Sequence, residues 1–237
     1  MHWTDDALLL SARPHGENAL LVNLLTREHG RHAGLVTAGQ SKRHRATWQA
    51  GTLMSVKWQA RLAEHLGGVS GEALTAYSAR WLDDAFRLAG VSAACAVSEA
   101  CLPERVPHPN AFAALVALLD GMVEQHWPSL YAHWELGLLG ELGFGLDLSA
   151  CASTGTTGDL AYVSPKSGRA VSRGAGEAYH DRLLPLPGFL KSGITEDRIA
   201  VADALNLTGF FLERHVLAPH GRGLPAARSR LVDRLRA

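Results

Sequence analysis

Cysteine is scarce in this chain: three in 237 residues, Cys95, Cys101 and Cys151. An odd number so widely spaced excludes an even disulfide framework, and a chain of this length can build its core without one. Long apolar runs are missing as well. The longest, ALLVNLL (19–25) and AFAALVALL (111–119), fall far short of the roughly 20 residues that span a bilayer, so no transmembrane helix is expected. The amino-terminal MHWTDDALLL carries Asp5 and Asp6 where a secretory signal has basic residues, and no small-residue cleavage site follows. A cytoplasmic location is therefore expected. No repeat of 20 to 50 residues and no low-complexity tract occurs. Neither GxSxG, HExxH, a Walker loop nor a strand-to-helix GxGxxG is present, and no enzyme is expected. Asp83 and Asp84 are adjacent, and neighbouring helical residues diverge by about 100°, so they read as solvated and not as a catalytic pair. His29 and His32 bracket the turn in REHGRH without an obvious third metal ligand, and read as surface histidines. No metal or cofactor is expected.

What the sequence does contain is 47% hydrophobic residues, enough for a substantial core. The first 77 residues read as five short strands: DDALLLSARP, ENALLVNLLTREHG, HAGLVTAG, TLMSVKW and, weakened by Gly67, Gly68 and Gly71, LGGVSGEALTA. In the fourth, Met54, Val56 and Trp58 alternate with Ser55, Lys57 and Gln59, as a half-buried strand requires. No helix-length crossover separates the first three, which favours a small barrel over a parallel sheet. From Ser78 the apolar period becomes helical, with Trp81, Ala85 and Leu88 on one expected face. Helices are expected in AFAALVALLDGMVEQH, SLYAHWELGLLGELG, TEDRIAVADALNLTGFFLERHVL and PAARSRLVDRLRA. Thr195 is the expected N-cap of the third of these, and the Gly143, Gly145 pair the expected C-cap of the second. Cys95 and Cys101, in ACAVSEACL, read as small hydrophobes of a helical core. The fold class is α+β: a small barrel over 1–77, then a helical domain over 78–237.

The helical part is interrupted at about 149–175 by CASTGTTGDLAYVSPKSGRAVSRGAG. A zinc ribbon needs two C-x-x-C knuckles, because structural zinc takes four ligands. Here the knuckle positions hold Cys151 with Thr154, and Ser172 with Ala175. One thiol remains, so the expectation is a β-hairpin without zinc, held by Leu160, Tyr162 and Val171 packing onto the helices.

The zero net charge conceals a division along the chain. Residues 1–77 hold eight Lys or Arg against six Asp or Glu, residues 78–150 three against nine, and residues 151–237 twelve against eight. Asymmetry of this kind hints at a polyanionic partner touching some surfaces only. The densest cations are Lys42, Arg43 and Arg45 in QSKRHRATWQAG (40–51), with Arg27, Arg31, Lys57 and Arg61 on or beside the strands. Arg222, Arg228, Arg230, Arg234 and Arg236 gather near the carboxyl end. Cations on the turns of a small barrel, with exposed aromatics, are what single-strand binding without sequence preference requires. Trp48 is the expected exposed platform, whereas Trp58 shares its side with Val56 and reads as core.

These residues carry a family resemblance. DDALLLSARPHGENALLVNLLTREHGRHAGLVTAGQSKR resembles the amino-terminal part of the bacterial RecO family, with its acidic-led strand, P-x-G-E turn (Pro14, Gly16, Glu17) and TREHG turn (Thr26 to Gly30). LAYVSPKSGRAVS and ERHVLAPHGRGLPAARSRLVDRL extend the likeness over nearly the whole chain. The departure is the ribbon, which many members build with four cysteines. The resemblance implies an OB-fold barrel, a helical carboxyl-terminal domain and a degenerate zinc ribbon. It also implies binding of single- and double-stranded DNA, annealing of complementary strands, and cooperation with RecR in loading RecA onto strands coated by the single-strand-binding protein SSB, whose acidic tail the helical domain is expected to hold. Leu115, Leu118 and Leu138 are conceivable linings of a tail pocket but read first as core. Two rival readings stand beside this one: an adaptor that binds only proteins, and a hydrolase built on His29, His32 and scattered acids.

Overall fold

The computed structural model describes residues 1–37, 39, 47–62 and 64–237. Five strands come first: β1 (His2–His15), β2 (Ala19–Thr26), β3 (Gly30–Val36), β4 (Thr52–Gln59) and β5 (Gly67–Ala76). β1, β2 and β3 pair as an antiparallel meander, β4 pairs antiparallel with both β1 and β5, and β3 meets β5 in parallel. The order β1-β2-β3-β5-β4 closes on itself as a barrel. That closure is narrow: among the described residues β3 and β5 pair through Gly34 with Gly67 and Leu35 with Gly68.

Alternation positions the barrel core. Along β2 and β4 every second residue turns inward, and Leu20, Val22, Leu24, Met54, Val56 and Trp58 fill the interior with Trp3, Leu9 and Val69. Each fully buried aliphatic side chain contributes roughly 1.5 to 3 kcal/mol. β1 breaks the alternation over Ala7 to Leu10, all four buried. A strand buried on both sides must be covered twice; here α1 (Ala85–Cys101) packs on the outer side, its Cys95 thiol reaching the Leu9 carbonyl. Burial pushes that thiol up to about 12, so Cys95 behaves as a small hydrophobe.

Trp48, expected to be exposed, is 5% exposed and belongs to the barrel core. It sits with Val36 and Val69 near the short β3–β5 seam, where two residue pairs leave space that a large ring fills. The glycines that weakened the fifth strand on paper have a packing role. A β-carbon on Gly67 would run into the Trp58 indole, so only glycine lets that ring lie against the strand. β1 also begins earlier than the apolar run and continues through Pro14.

The expected helical face of Trp81, Ala85 and Leu88 does not form. Ser78–Trp81 is a 3-10 turn, and α1 starts only at Ala85, because the Asp84 carboxylate accepts the Phe86 and Arg87 amide hydrogens as an N-cap. Asp84 thus has a structural task that the solvated reading missed. α2 (Pro109–Gly121), α3 (Trp127–Glu141), α4 (Arg198–Phe211) and α5 (Ala226–Arg236) follow. Asp197, not Thr195, caps α4 by accepting from Ile199 and Ala200, while the Thr195 hydroxyl accepts from Asp197. Gly143 takes the left-handed conformation past the end of α3. α3 and α4 pack together and bury Glu135, which accepts the Thr208 hydroxyl at 2.6 Å.

The interruption folds as β6 (Leu160–Val163), β7 (Ala170–Ser172) and a two-residue β8 (Leu184–Pro185), in the order β7-β6-β8. Tyr162 pairs with Val171 as the hairpin requires; β8 is too short to leave a periodic trace. By contacts the chain divides into two units, Met1–Asp120 with Pro225–Leu231, and Gly121–Leu224 with Val232–Ala237. The first unit exceeds the expected barrel because α1 packs on the outer side of β1 and β2. No described helix is long and apolar enough to cross a membrane.

Gly30 illustrates how tightly the first unit is tied. It has φ +73°, and a β-carbon there would strike the Val106 backbone. Gly30→Ala is expected to destabilise the protein by about 2 to 4 kcal/mol in urea unfolding, through strain and a backbone clash together; a change under about 0.5 kcal/mol contradicts this packing.

Candidate nucleic-acid interface

The outward side of β4 displays an exposed cation, Lys57. Lys57 lies opposite Thr4 of β1 and Ser70 of β5, and Gln59 lies opposite His2 and Gly68. All six are exposed, forming a polar strip three strands wide, with Arg61 just beyond its end. Two shallow depressions run along it. One, about 510 Å³, is lined by Met1, His2, Gln59, Ala60 and Arg61; the other, about 470 Å³, by Ser55, Lys57, Ser70, Gly71 and Glu72. Neither Lys57 nor Arg61 has an ion-pair partner among the described residues. A free cation over a groove is available to a phosphate in a way that a paired one is not.

The other expected cations are distributed differently. Arg27 is exposed but pairs with Asp6 at 3.2 Å and lies 5.5 Å over the Phe112 ring. Arg31 is not available at all: its side chain is 12% exposed, donates to the Leu102 carbonyl at 2.9 Å and pairs with Glu104 at 3.2 Å. It fastens β3 to the segment after α1. Arg228 is buried, so the carboxyl-terminal arginines are not uniformly surface groups. Arg222 is exposed, in the second unit. Lys42, Arg43 and Arg45 lie outside the described residues. Trp48 cannot stack on bases from the barrel interior.

The histidines expected at the surface are part of a ring cluster instead. His29, Trp3 and Trp58 stack in parallel, with centroids 4.3 and 5.5 Å apart and planes 8° apart in each pair. His32 is 8% exposed and stands edge-on to all three. Asp5 orients His29: its Oδ2 lies 3.0 Å from His29 Nδ1 and accepts the Glu28 amide hydrogen at 2.8 Å. Trp3 could have been found by extending the β1 alternation backward, since Trp3 faces Trp58 across the β1–β4 ladder.

In the insertion, the Ser172 amide and hydroxyl both donate to Cys151 Sγ, at 3.2 and 3.4 Å. The Ser172 hydroxyl first, and then Thr154, pull the thiol down to about 6. Three of the four ribbon positions therefore meet at one point.

The fold so far is that of an α+β protein whose small closed barrel carries Lys57 on one strand and Arg61 just past its end, both without an ion-pair partner among the described residues. Two family models match the chain: Recombination protein O N terminal over residues 1–77 and Recombination protein O C terminal over residues 82–222. The chain is 51% identical to the DNA repair protein RecO of Rhodospirillum rubrum, over all of this chain and 97% of the relative. It is 53% identical to that of Rhodospirillum centenum, over all of this chain and 95% of the relative. A third, from Caulobacter sp. strain K31, is 45% identical over 99% and 98% of the two chains. The chain belongs to the RecO family of DNA repair proteins.

The buried histidine makes a pH dependence predictable. Burial first, then the Arg105 charge, holds His32 below its ordinary 6.5. The unfolded chain therefore takes up this proton first as the pH falls. Stability contributed in full above pH 6.5 is lost as the pH descends through the folded value. The urea midpoint is expected to drop between pH 7 and pH 5.5, and to drop less in His32→Gln; identical profiles would remove His32 as the cause.

Proposed function

We propose that this protein is a recombination mediator. It binds single- and double-stranded DNA, anneals complementary strands, and helps RecR load RecA onto SSB-coated DNA, without itself making or breaking covalent bonds, in the cytoplasm. The observation that carries this reading is the end-to-end match to relatives named DNA repair protein RecO, over 95% to 98% of their length. The barrel order β1-β2-β3-β5-β4 supports an OB-fold as the binding element. Its DNA-facing side is the β4 strip with Lys57 and Arg61, and Lys42, Arg43 and Arg45, which lie outside the described residues, are proposed on their charge as further phosphate contacts. Such contacts neutralise phosphates and are indifferent to base sequence.

Salt dependence tests this. On single strands each phosphate contact contributes about 0.7 to the slope of log affinity against log salt. Lys57→Ala with Arg61→Ala is expected to flatten the slope by about 1.4, and the Lys42, Arg43, Arg45 triple alanine variant by about 2. Slopes unchanged in both would move the site to the arginines of the carboxyl-terminal region. Absence of any binding in dilute buffer would leave the protein-only adaptor. Annealing with and without SSB coating reads DNA contact and partner recognition together. Leu115, Leu118 and Leu138 are buried, so the proposed grip on the SSB tail is sought on other residues.

The insertion is proposed to be a degenerate zinc ribbon, supported by the meeting of Cys151, Thr154 and Ser172. Restoring the missing thiols as Thr154→Cys, Ser172→Cys and Ala175→Cys is expected to yield a protein that purifies with one zinc ion per chain. A triple variant that folds but takes up no zinc would refute the ribbon geometry.

A further inference from the structure

We propose that the barrel also holds a pocket for a single unstacked base of a nucleic-acid strand, walled by Trp3, His29, His32, Trp58, Arg105 and Pro107. This deepens the nucleic-acid reading above and rests on it. The pocket measures about 240 Å³, room for one planar ring system and not for a base pair. Its walls are rings: Trp3 lies sandwiched between His29 and Trp58, the part-exposed His29 ring at the end of that stack offers the accessible face, and the edge-on His32 ring stands across it. Flat faces meeting at a right angle fit a planar guest better than a branched aliphatic one.

Of the polar residues around it, Glu28, His29, His32 and Arg105, the last three suit a heteroaromatic guest. Arg105 brings a guanidinium, and its Nη2 is steadied by donating to the Glu64 and His65 carbonyls at 3.0 and 3.3 Å. Its backbone is left-handed, φ 61°, and is fixed by its amide donating to the Arg31 carbonyl at 2.9 Å. His29 is held by Asp5. One ring nitrogen of the wall, Trp3 Nε1, is buried without a hydrogen-bond partner among the described residues, in a side chain more than nine-tenths buried. An orphaned nitrogen is uncommon in a finished core.

The location suits a strand lying on β4. Met1 lines both this pocket and the depression that holds Arg61, so the two sites adjoin. A backbone over Gln59 and Arg61 has the pocket within reach of a base that has left its stack. Such a base gains a stacking contact that is insensitive to salt, unlike the phosphate contacts beside it.

The test compares binding of the full chain to a 15-nucleotide deoxythymidine strand and to an abasic strand of the same length, at several salt concentrations. Wild type is expected to prefer the strand with bases by about tenfold. His29→Ala should weaken the thymidine strand about five- to tenfold, leave the abasic strand unchanged, and keep the salt slope of wild type. His29→Phe, which keeps a ring, should recover the preference. Arg105→Gln supplies a second variant, expected to show the same selective loss, if His29→Ala does not fold. Equal binding of the two strands by wild type, or a loss in His29→Ala that falls equally on both, overturns the pocket while leaving the phosphate reading intact. Failure of wild type to bind either strand overturns both.

Discussion

The close approach of Val106 to Gly30 is the contact on which the organisation of the first unit turns. Because no side chain stands at Gly30, the segment after α1 lies directly on β3, where Arg31 bonds Leu102 and Glu104 and accepts the Arg105 amide. One backbone-to-backbone contact thus places a wall from residues 104 to 107 beside rings that come from β1, the β2–β3 turn, β3 and β4. Pocket and fastening share a single cause. The left-handed backbone at Arg105 is the local cost of that arrangement.

Electrostatics sort the cations into two populations with different tasks. Arg31 is withdrawn from solvent and paired, and its charge serves the fold. Lys57 and Arg61 stand over shallow grooves without acidic partners in ion-pair range among the described residues. Composition counts both kinds equally, which is why a neutral chain carries a polyanion-ready strip. Glu72, in the groove beside Lys57, tempers the potential there and leaves Arg61 the less opposed of the two.

Much of this was legible in the sequence because it depends on period. An apolar run ended by a turn located β2, alternation located β4 and assigned Trp58 to the interior, and helical spacing located α2 through α5. What escaped depends on meetings between distant residues. Trp48 follows a charged stretch, so local composition gave it to solvent, yet the two-pair seam between β3 and β5 gives it an interior place. His32 looks like a turn residue in REHGRH, but it lies within β3 on its inward side. Arg105 carried no signal at all, since its place comes from a glycine 75 positions earlier. The N-cap of α4 was misplaced, and that of α1 passed over, for a simpler reason: Asp197 and Asp84 each sit among neighbours that can also cap, and only geometry selects between them.

The parallel seam has a kinetic implication. β1, β2 and β3 are neighbours in the chain and can form their meander through short turns, whereas Gly34 must wait for Gly67. Loops of that length close slowly relative to hairpins, and non-local pairing lowers folding rates generally. During synthesis the meander therefore assembles first, with an open edge, and the ring is sealed only once β5 has left the ribosome.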